Sequence, residues 1–191
     1  PDHRRPSILS MLHPVLESRL QAALRSILPD ADLSAVQVRP TGDPKLGDYQ
    51  ANAVMALNKG AAIGHFAHDT GEGGVSRYHL EHGGDLIWNI GSGYFGCRNP
   101  DGSFSEERFT DMARRDNIRM IELKLSQGAK PGHGGILPAP KVTPEIAAAR
   151  GVPVGQDCVS PSSHSAFGTP VEMMRFIARL RELSGGKPVG F

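Results

Sequence analysis

Short apolar segments alternate with capped helices from about residue 60 onward, and this alternation constrains the fold more than any other feature of the sequence. Strand, helix and strand in that order form right-handed β-α-β units, whose strands lie parallel in one sheet. We therefore predict an α/β protein built on a parallel sheet. The predicted strands are Ile63 to Ala67, Asp85 to Ile90, Met120 to Leu125 and Gly155 to Val159.

Helix-start and helix-stop signals lie between and after these strands. Ser105 is a predicted N-cap, and Thr143-Pro144-Glu145 starts a second helix that Gly151 ends. Thr169-Pro-Val-Glu172 is a capping box with proline at the first helical position, and Gly185-Gly186 closes that helix.

Four turn-rich loops follow the predicted strands, and ten of the 23 glycines lie in the first three of them. In parallel α/β sheets, ligands bind at loops beyond the carboxyl ends of the strands. We therefore expect the four loops to share one ligand-binding face. They are residues 68–74, 91–96, 126–135 and 160–164.

A differently patterned segment precedes the alternating region. It begins with an amphipathic helix that Pro14 starts and Pro29 stops, and a short strand is predicted over Ala35 to Arg39. Residues 40–50 are rich in turn formers, and an Ala/Leu/Met run predicts a helix over 51–59. This pattern predicts a small α+β segment over residues 1–55, followed by a second unit over residues 56–191.

Composition and charge exclude several protein classes. No apolar run approaches the roughly 18 residues of a transmembrane helix, and residues 1–10 contain no apolar signal core, so we expect no membrane association and a cytoplasmic location. Cys97 and Cys158 are too few for a disulfide scaffold. Lysine and arginine balance the acidic residues six to six over 1–58 and fifteen to fourteen over 59–191, which counts against binding of nucleic acid, tRNA included.

Three motifs invite other functions. Gly91-Ser-Gly-Tyr-Phe-Gly96 matches the dinucleotide fingerprint, but residues 97–102 predict a turn where that fingerprint requires a helix. His65-x-x-His68 and His79-x-x-His82 suggest a metal, although no cysteine completes a zinc-binding set. Cys158 near His164 suggests a nucleophile, but it lies inside a predicted strand without an orienting acid.

The run from Glu122 to Lys130 places charge on an otherwise apolar strand. Strand periodicity puts Glu122, Lys124 and Ser126 on one side. Inside a barrel these charges need partners or a ligand. Two interpretations remain open: a structural ion pair, or a site at which Lys130 meets a carboxylate substrate.

Five long stretches resemble the FMN-binding synthase domain of glutamate synthases, especially the short glutamate-synthase-like proteins. The resemblance covers about three-quarters of the chain, from about residue 51. The stretches are Ala56-Leu-Asn-Lys-Gly-Ala61, Phe66-Ala-His-Asp-Thr-Gly-Glu-Gly-Gly74, residues 84–98, Lys124-Leu-Ser-Gln-Gly-Ala-Lys-Pro-Gly-His-Gly-Gly135 and Gly155-Gln-Asp-Cys-Val-Ser-Pro161.

The resemblance implies a (β/α)8 barrel that binds FMN and reduces 2-iminoglutarate, formed from 2-oxoglutarate and ammonia, to glutamate. It places Gln127 and Lys130 in a loop that faces the flavin and the dicarboxylate substrate, with Lys124 on the strand below. It places Glu72 in the loop after the second barrel strand, and Ser92 and Gly93 in the loop after the third. The implied roles are catalytic for Lys130, Gln127, Lys124 and Glu72, and cofactor-binding for Ser92, Gly93 and Gln127.

The chain departs from that barrel at both sides. Residues 38–52 and the preceding helix resemble the N-terminal accessory domain of arginyl-tRNA synthetases, and Phe191 falls at the sixth strand. We therefore expect a partial (β/α)8 TIM barrel, about strands 2 to 6, that needs a partner chain, self-association or a new packing against residues 1–58. The alternatives are a non-catalytic module with a tRNA-binding N-terminus, or a recombined chain, a chimera without selected function.

Overall fold

A computed structural model describes residues 8–27, 29–30, 33, 38–40, 49–51, 54–128 and 130–191. Six α-helices and eight strands lie in these ranges. The helices are α1 (Ile8–Ile27), α2 (Val54–Gly64), α3 (Arg77–Leu80), α4 (Glu106–Ala113), α5 (Pro144–Arg150) and α6 (Pro170–Leu183). The strands are β1 (Val38–Pro40), β2 (Tyr49–Ala51), β3 (His68–Asp69), β4 (Leu86–Ile90), β5 (Ile118–Leu123), β6 (Gly135–Leu137), β7 (Cys158–Ser160) and β8 (Val189–Gly190).

Four strands form a parallel sheet in the order β3-β4-β5-β8. Ile90 pairs with Leu123 across β4 and β5, and Ile121 pairs with Val189 across β5 and β8. Helices alternate with these strands along the chain. The predicted α/β class and parallel sheet are therefore confirmed, and the described strands form an open sheet in which β3 and β8 are the edges.

The apolar core lies on one face of this sheet, under α4 and α6. Trp88 of β4 stacks on Phe109 of α4 with ring centroids 5.3 Å apart, and both residues are fully buried. Strand alternation sends Leu86, Trp88 and Ile90 to this face. The other buried members are Val75, Tyr94, Cys97, Ala113, Ile118, Ile121, Leu123, Phe176 and Leu180.

The predicted helix caps are confirmed. The Ser105 side chain accepts a hydrogen bond from the Arg108 N–H, and the Thr143 side chain accepts one from the Ile146 N–H. Thr169 and Glu172 form the capping box of α6, which ends at Leu183. These caps satisfy N–H groups that have no partner within the helix.

Two predicted strands are misplaced. Residues predicted to start the first strand, Ile63 and Gly64, instead end α2, because the Ala-rich helix continues until His65 adopts a left-handed φ of 55°. The strand there is His68–Asp69. The segment predicted over Gly155 to Val159 forms β7 only from Cys158, because Gly155 has a φ of +72°, which breaks an extended strand.

β7 also lies outside the parallel sheet. It pairs antiparallel with β6, and Ile136 lies opposite Val159. The strand predicted over Met120 to Leu125 is shifted by two residues to Ile118–Leu123, whereas Asp85 to Ile90 agrees with Leu86–Ile90.

The N-terminal segment contains α1 and the antiparallel pair β1-β2. Pro14 does not start α1 but lies inside it, because the apolar residues before it extend the helix backward despite the N–H that proline lacks. β1 and α2 overlap the predicted strand and helix, although Ala51 belongs to β2 and α2 starts at Val54. Residues 41–48, which carry most of the synthetase-like motif, lie outside the described residues.

Within the described ranges, no helix combines the length and the hydropathy that a membrane crossing requires.

Candidate functional site

Polar side chains from three loops meet at the carboxyl edge of the parallel sheet. Glu72 follows β3, Ser92 follows β4, and Lys124 and Gln127 follow β5. All four line one crevice. The convergence arises because the carboxyl ends of neighbouring parallel strands lie at the same edge.

Glu72, Lys124 and Gln127 form a closely bonded group, which we call the Glu72 cluster. The Lys124 ammonium lies 3.0 Å from Glu72 Oε2, and Gln127 Nε2 lies 2.9 and 2.8 Å from the two oxygens of Glu72. Lys124 Nζ also donates to Gln127 Oε1 at 3.4 Å. The Lys124 and Glu72 side chains are 31% and 27% exposed. The pair is therefore partly buried, yet a ligand in solution can still reach it.

The crevice beside the Glu72 cluster is small. Its volume is about 10 Å³, room for about one water molecule. Besides the four polar residues above, Leu125, Ser126, Gly134, Pro161 and Ser162 line it. The Ser92 hydroxyl donates to the Pro161 carbonyl and thereby joins two of the four predicted loops.

All four predicted loops converge on this region. Glu72 and Gln127 join the loops of residues 68–74 and 126–135, and Ser92 joins 91–96 to 160–164. The pairing of Gly135 with Ser160 joins the last two loops. The loops thus form one continuous face, although β7 is outside the parallel sheet.

Two glycines allow close packing here. A Cβ on Gly91 would lie 3.2 Å from Glu72 Oε2, so glycine at this position lets the carboxylate approach the end of β4. A Cβ on Gly93 would lie 2.7 Å from the Phe95 ring, and the Gly93 carbonyl accepts from Arg98 Nη1 at 3.3 Å. The backbone of Gly93, predicted to bind the cofactor, is thus packed within the protein.

Lys130 lies apart from the Glu72 cluster. Its side chain is exposed on the turn after Gln127, and its backbone N–H donates to the Gln127 carbonyl at 3.3 Å. No salt bridge links its ammonium to another residue in the part of the chain that the structure describes.

A polar row next to the site joins Glu122, which the sequence analysis singled out, to Asn89 and Thr70, which it did not. Asn89 Nδ2 donates to Glu122 Oε2 at 2.7 Å across the β4-β5 pair, and the Asn89 N–H donates to Thr70 Oγ1 at 3.1 Å. The row lies on the sheet face opposite Trp88 and the core. The available signal is one asparagine in the otherwise apolar strand Leu-Ile-Trp-Asn-Ile.

His164, which the sequence analysis considered only as a neighbour of Cys158, is a further functional candidate. It is buried, with Nδ1 3.1 Å from Tyr94 Oη and Nε2 2.9 Å from the Lys124 carbonyl. Burial lowers the pKa of His164, and the hydrogen bond to the Lys124 backbone partly opposes that shift. The ring is therefore neutral at neutral pH.

Within the described residues, the alternative motifs form no other site. The Gly91-to-Gly96 motif opens no helix, since the next helix begins at Glu106, so the dinucleotide geometry is missing. Cys158 is buried with Sγ 3.6 Å from Arg150 Nη1, whereas the ring of His164 bonds to Tyr94 and Lys124.

The two histidine pairs contribute one member each to a ring contact. His68 and His79 lie with centroids 5.5 Å apart, and His65 and His82 are exposed. Among residues with described positions, no three side chains of the metal-binding types are grouped.

The crevice beside the Glu72 cluster does not fit a whole FMN. A ligand pocket for a molecule of that size usually measures several hundred Å³, against about 10 Å³ for this crevice. The donors of Lys124 and Gln127 are moreover bonded to Glu72. The geometry instead offers an ammonium and an amide that a carboxylate could take over from Glu72.

Comparison with known proteins gives consistent matches. A family model described as the conserved region in glutamate synthase matches residues 36–191. The glutamate synthase large subunit-like protein YerD of Bacillus subtilis (strain 168) is 46% identical over 145 residues, which cover 75% of this chain and 27% of that protein. The archaeal-type glutamate synthase [NADPH] of Thermotoga maritima is 34% identical over 146 residues, 75% of this chain and 26% of that protein.

An archaeal glutamate synthase [NADPH] from Methanocaldococcus jannaschii is 35% identical over 118 residues, 62% of this chain and 21% of that protein. The chain thus spans about a quarter of the length of the curated relatives that it matches.

Proposed function

Because this chain belongs to the glutamate synthase family, we propose that it forms the dicarboxylate-binding part of a glutamate synthase-type oxidoreductase. In the assembled protein the activity would be the FMN-dependent reduction of 2-iminoglutarate to glutamate. The chain alone would hold the substrate-facing loops of a partial barrel.

The Glu72 cluster is the observation that carries this proposal. It brings an ammonium, an amide and a carboxylate from two separate loops to the carboxyl edge of a parallel sheet. In α/β barrels that edge is where catalytic side chains lie. Lys124 and Glu72 are partly buried, so water screens their charges less than at an exposed site. Their electrostatic interaction with a charged ligand is correspondingly stronger.

A dicarboxylate such as 2-oxoglutarate supplies the complementary chemistry. One carboxylate would replace Glu72 as the acceptor for Lys124 and Gln127, since both donors suit a carboxylate oxygen. Lys130, exposed on the neighbouring turn, would meet the second carboxylate. Ser92 lines the same crevice and would add a hydroxyl.

FMN enters as the cofactor of the assembled protein. Because the crevice is too small for a flavin, the site at the Glu72 cluster requires either rearrangement or contacts from a partner chain or a second copy before a flavin can bind there. We therefore propose that the purified chain does not retain FMN at one molecule per chain.

The test combines two titrations of the purified chain. We expect calorimetry to detect 2-oxoglutarate binding, and we expect Lys124→Met to weaken it while Lys59→Met, which removes an exposed lysine of α2, leaves it unchanged. We expect flavin absorbance after FMN incubation and gel filtration to give well under one FMN per chain. Equal affinity in Lys124→Met would contradict the dicarboxylate role, and a yellow preparation with one FMN per chain would contradict the incomplete flavin site.

A further inference from the structure

The backbone of Lys124 is held by hydrogen bonds at both its N–H and its carbonyl. Its N–H donates to the Ile90 carbonyl at 2.8 Å, which continues the β4-β5 ladder by one residue beyond β5. Its carbonyl lies 2.9 Å from His164 Nε2. The backbone is therefore anchored at the residue whose side chain forms the ion pair with Glu72.

The hydrogen bonds around His164 select one tautomer. A backbone carbonyl only accepts, so Nε2 must carry the proton that bonds to Lys124. In the neutral ring Nδ1 is then an acceptor, so the Tyr94 hydroxyl donates to it at 3.1 Å. The Tyr94 oxygen in turn accepts the Ala166 N–H at 3.2 Å.

Packing keeps this arrangement rigid. His164 is 6% exposed and stacks on Phe167 with centroids 4.7 Å apart and an interplanar angle of 18°. Tyr94 is fully buried and has a φ of 48°, a left-handed conformation that costs energy for any residue with a Cβ. Such strain persists only where surrounding contacts fix the residue, as the rings of His164, Phe104 and Phe176 do here.

We infer that His164, as the neutral Nε2–H tautomer, is a positioning residue of the candidate site. Through the Lys124 carbonyl it fixes the direction in which the Lys124 side chain leaves the sheet, and so holds the ammonium on Glu72. Tyr94 acts one step further back, by donating to Nδ1 and so holding the ring in place. The importance of this arrangement for a substrate rests on the proposed function, but its physical basis does not.

The first test measures how reactive the Lys124 amine is. Brief acetylation of the full chain with acetic anhydride, followed by mass spectrometry, gives the modification of Lys124 relative to the exposed Lys130. We expect His164→Phe to raise this ratio about two- to fivefold, the range expected for release of a partly exposed ion pair. We expect His164→Gln, whose amide nitrogen can donate from nearly the position of Nε2, to restore a ratio close to that of the wild type.

A matched control separates positioning from general loosening. Phe167→Leu removes the ring that stacks on His164 but leaves its hydrogen bonds in place. We expect this variant to lower the melting temperature with little change in the ratio. An unchanged ratio in His164→Phe, or an equal rise in Phe167→Leu, would overturn the inference.

The second test needs no folded His164 variant. Nitrogen-15 NMR of the histidine side chains in the wild-type chain distinguishes the two neutral tautomers, and we expect the Nε2–H form for His164. In Tyr94→Phe we expect the Nε2–H form to persist, because the Lys124 carbonyl still accepts from it, and a smaller rise in Lys124 reactivity than in His164→Phe. An Nδ1–H ring in the wild type would overturn the inference. Neither test uses flavin or 2-oxoglutarate, so a failure here is distinct from a failure of the proposed function.

Discussion

Lys124 Nζ lies 3.0 Å from Glu72 Oε2, and this ion pair joins the loop after β3 to the end of β5 across the intervening strand β4. We expect Glu72→Gln and Lys124→Met each to lower the free energy of unfolding by about 1–2 kcal/mol, because each leaves a shielded charge without its partner. Urea unfolding of both single variants and the double variant should give a coupling energy of about 1 kcal/mol.

The exposed ion pair between Arg77 and Glu145 provides the control for this comparison of single and double variants. Its side chains are 75% and 46% exposed, with Arg77 Nε 3.1 Å from Glu145 Oε1. Solvent screening should reduce its coupling energy to nearly zero. Equal coupling energies for the two pairs would show that the partial burial of Lys124 and Glu72 adds nothing.

Gly134 and Gly132 give a matched pair of backbone variants in the loop after β5. Both have a left-handed φ, +66° and +78°, but a Cβ on Gly134 would collide with the Ser160 carbonyl oxygen, whereas a Cβ on Gly132 meets nothing within 4 Å. We expect Gly132→Ala to cost about 1 kcal/mol and Gly134→Ala about 2–4 kcal/mol. Thermal unfolding measures both, and equal costs would show that the loop simply moves away from β7.

The Trp88–Phe109 stack should dominate the stability of the core. Phe109 is fully buried, and its removal leaves a cavity against Trp88. We expect Phe109→Ala to cost about 3–5 kcal/mol in urea unfolding. Phe66→Ala removes the same side chain at a position that is 43% exposed, and we expect it to cost much less.

Stability should fall as the pH drops below the ordinary histidine pKa of 6.5. Burial lowers the pKa of His68, His79 and His164 in the folded chain. Below pH 6.5 the unfolded chain therefore binds protons that the folded chain does not, so the free energy of unfolding decreases as the pH falls through the folded-state pKa values. Above pH 6.5 the full contribution of these neutral rings is present.

His79→Asn tests the origin of that pH dependence. The Ser76 N–H donates to His79 Nδ1 at 3.0 Å, and an asparagine oxygen can accept at nearly the same place. We expect the variant to remain folded with a shallower loss of stability between pH 7 and pH 5, measured by urea unfolding at several pH values. His82→Asn, at an exposed position, controls for the loss of a histidine as such. The pH explanation fails if the two variants show the same slope as the wild type.

Local chemistry explains which elements were predictable. Ser105, Thr143 and Thr169 each bond to an N–H three residues later, so a short stretch of sequence contains both partners of each cap. The convergence of Glu72 with Lys124 was predictable as well, because parallel strands bring their carboxyl ends to one edge.

The parts that depend on distant partners were not predictable. β7 leaves the parallel sheet because its partner is β6. β6 has only three residues, too few for the alternation of apolar and polar side chains that reveals a strand in the sequence. His164 contacts Tyr94 and Lys124, which lie 70 and 40 positions away. No local sequence pattern indicates that residues so far apart are in contact. The position of the Lys130 side chain depends on the turn that precedes it, which strand alternation does not describe.

The sheet order has a consequence for how this chain folds. β4 and β5 pair after the chain between residues 86 and 118 closes, whereas Ile121 can pair with Val189 only when a far longer loop closes. Because closure entropy and folding time both grow with the separation of the partners, β8 should join the sheet late. Until then the outer edge of β5 presents unpaired N–H and C=O groups that another chain can bind. Refolding yield should therefore depend on protein concentration, and the most vulnerable moment comes before β8 covers that edge.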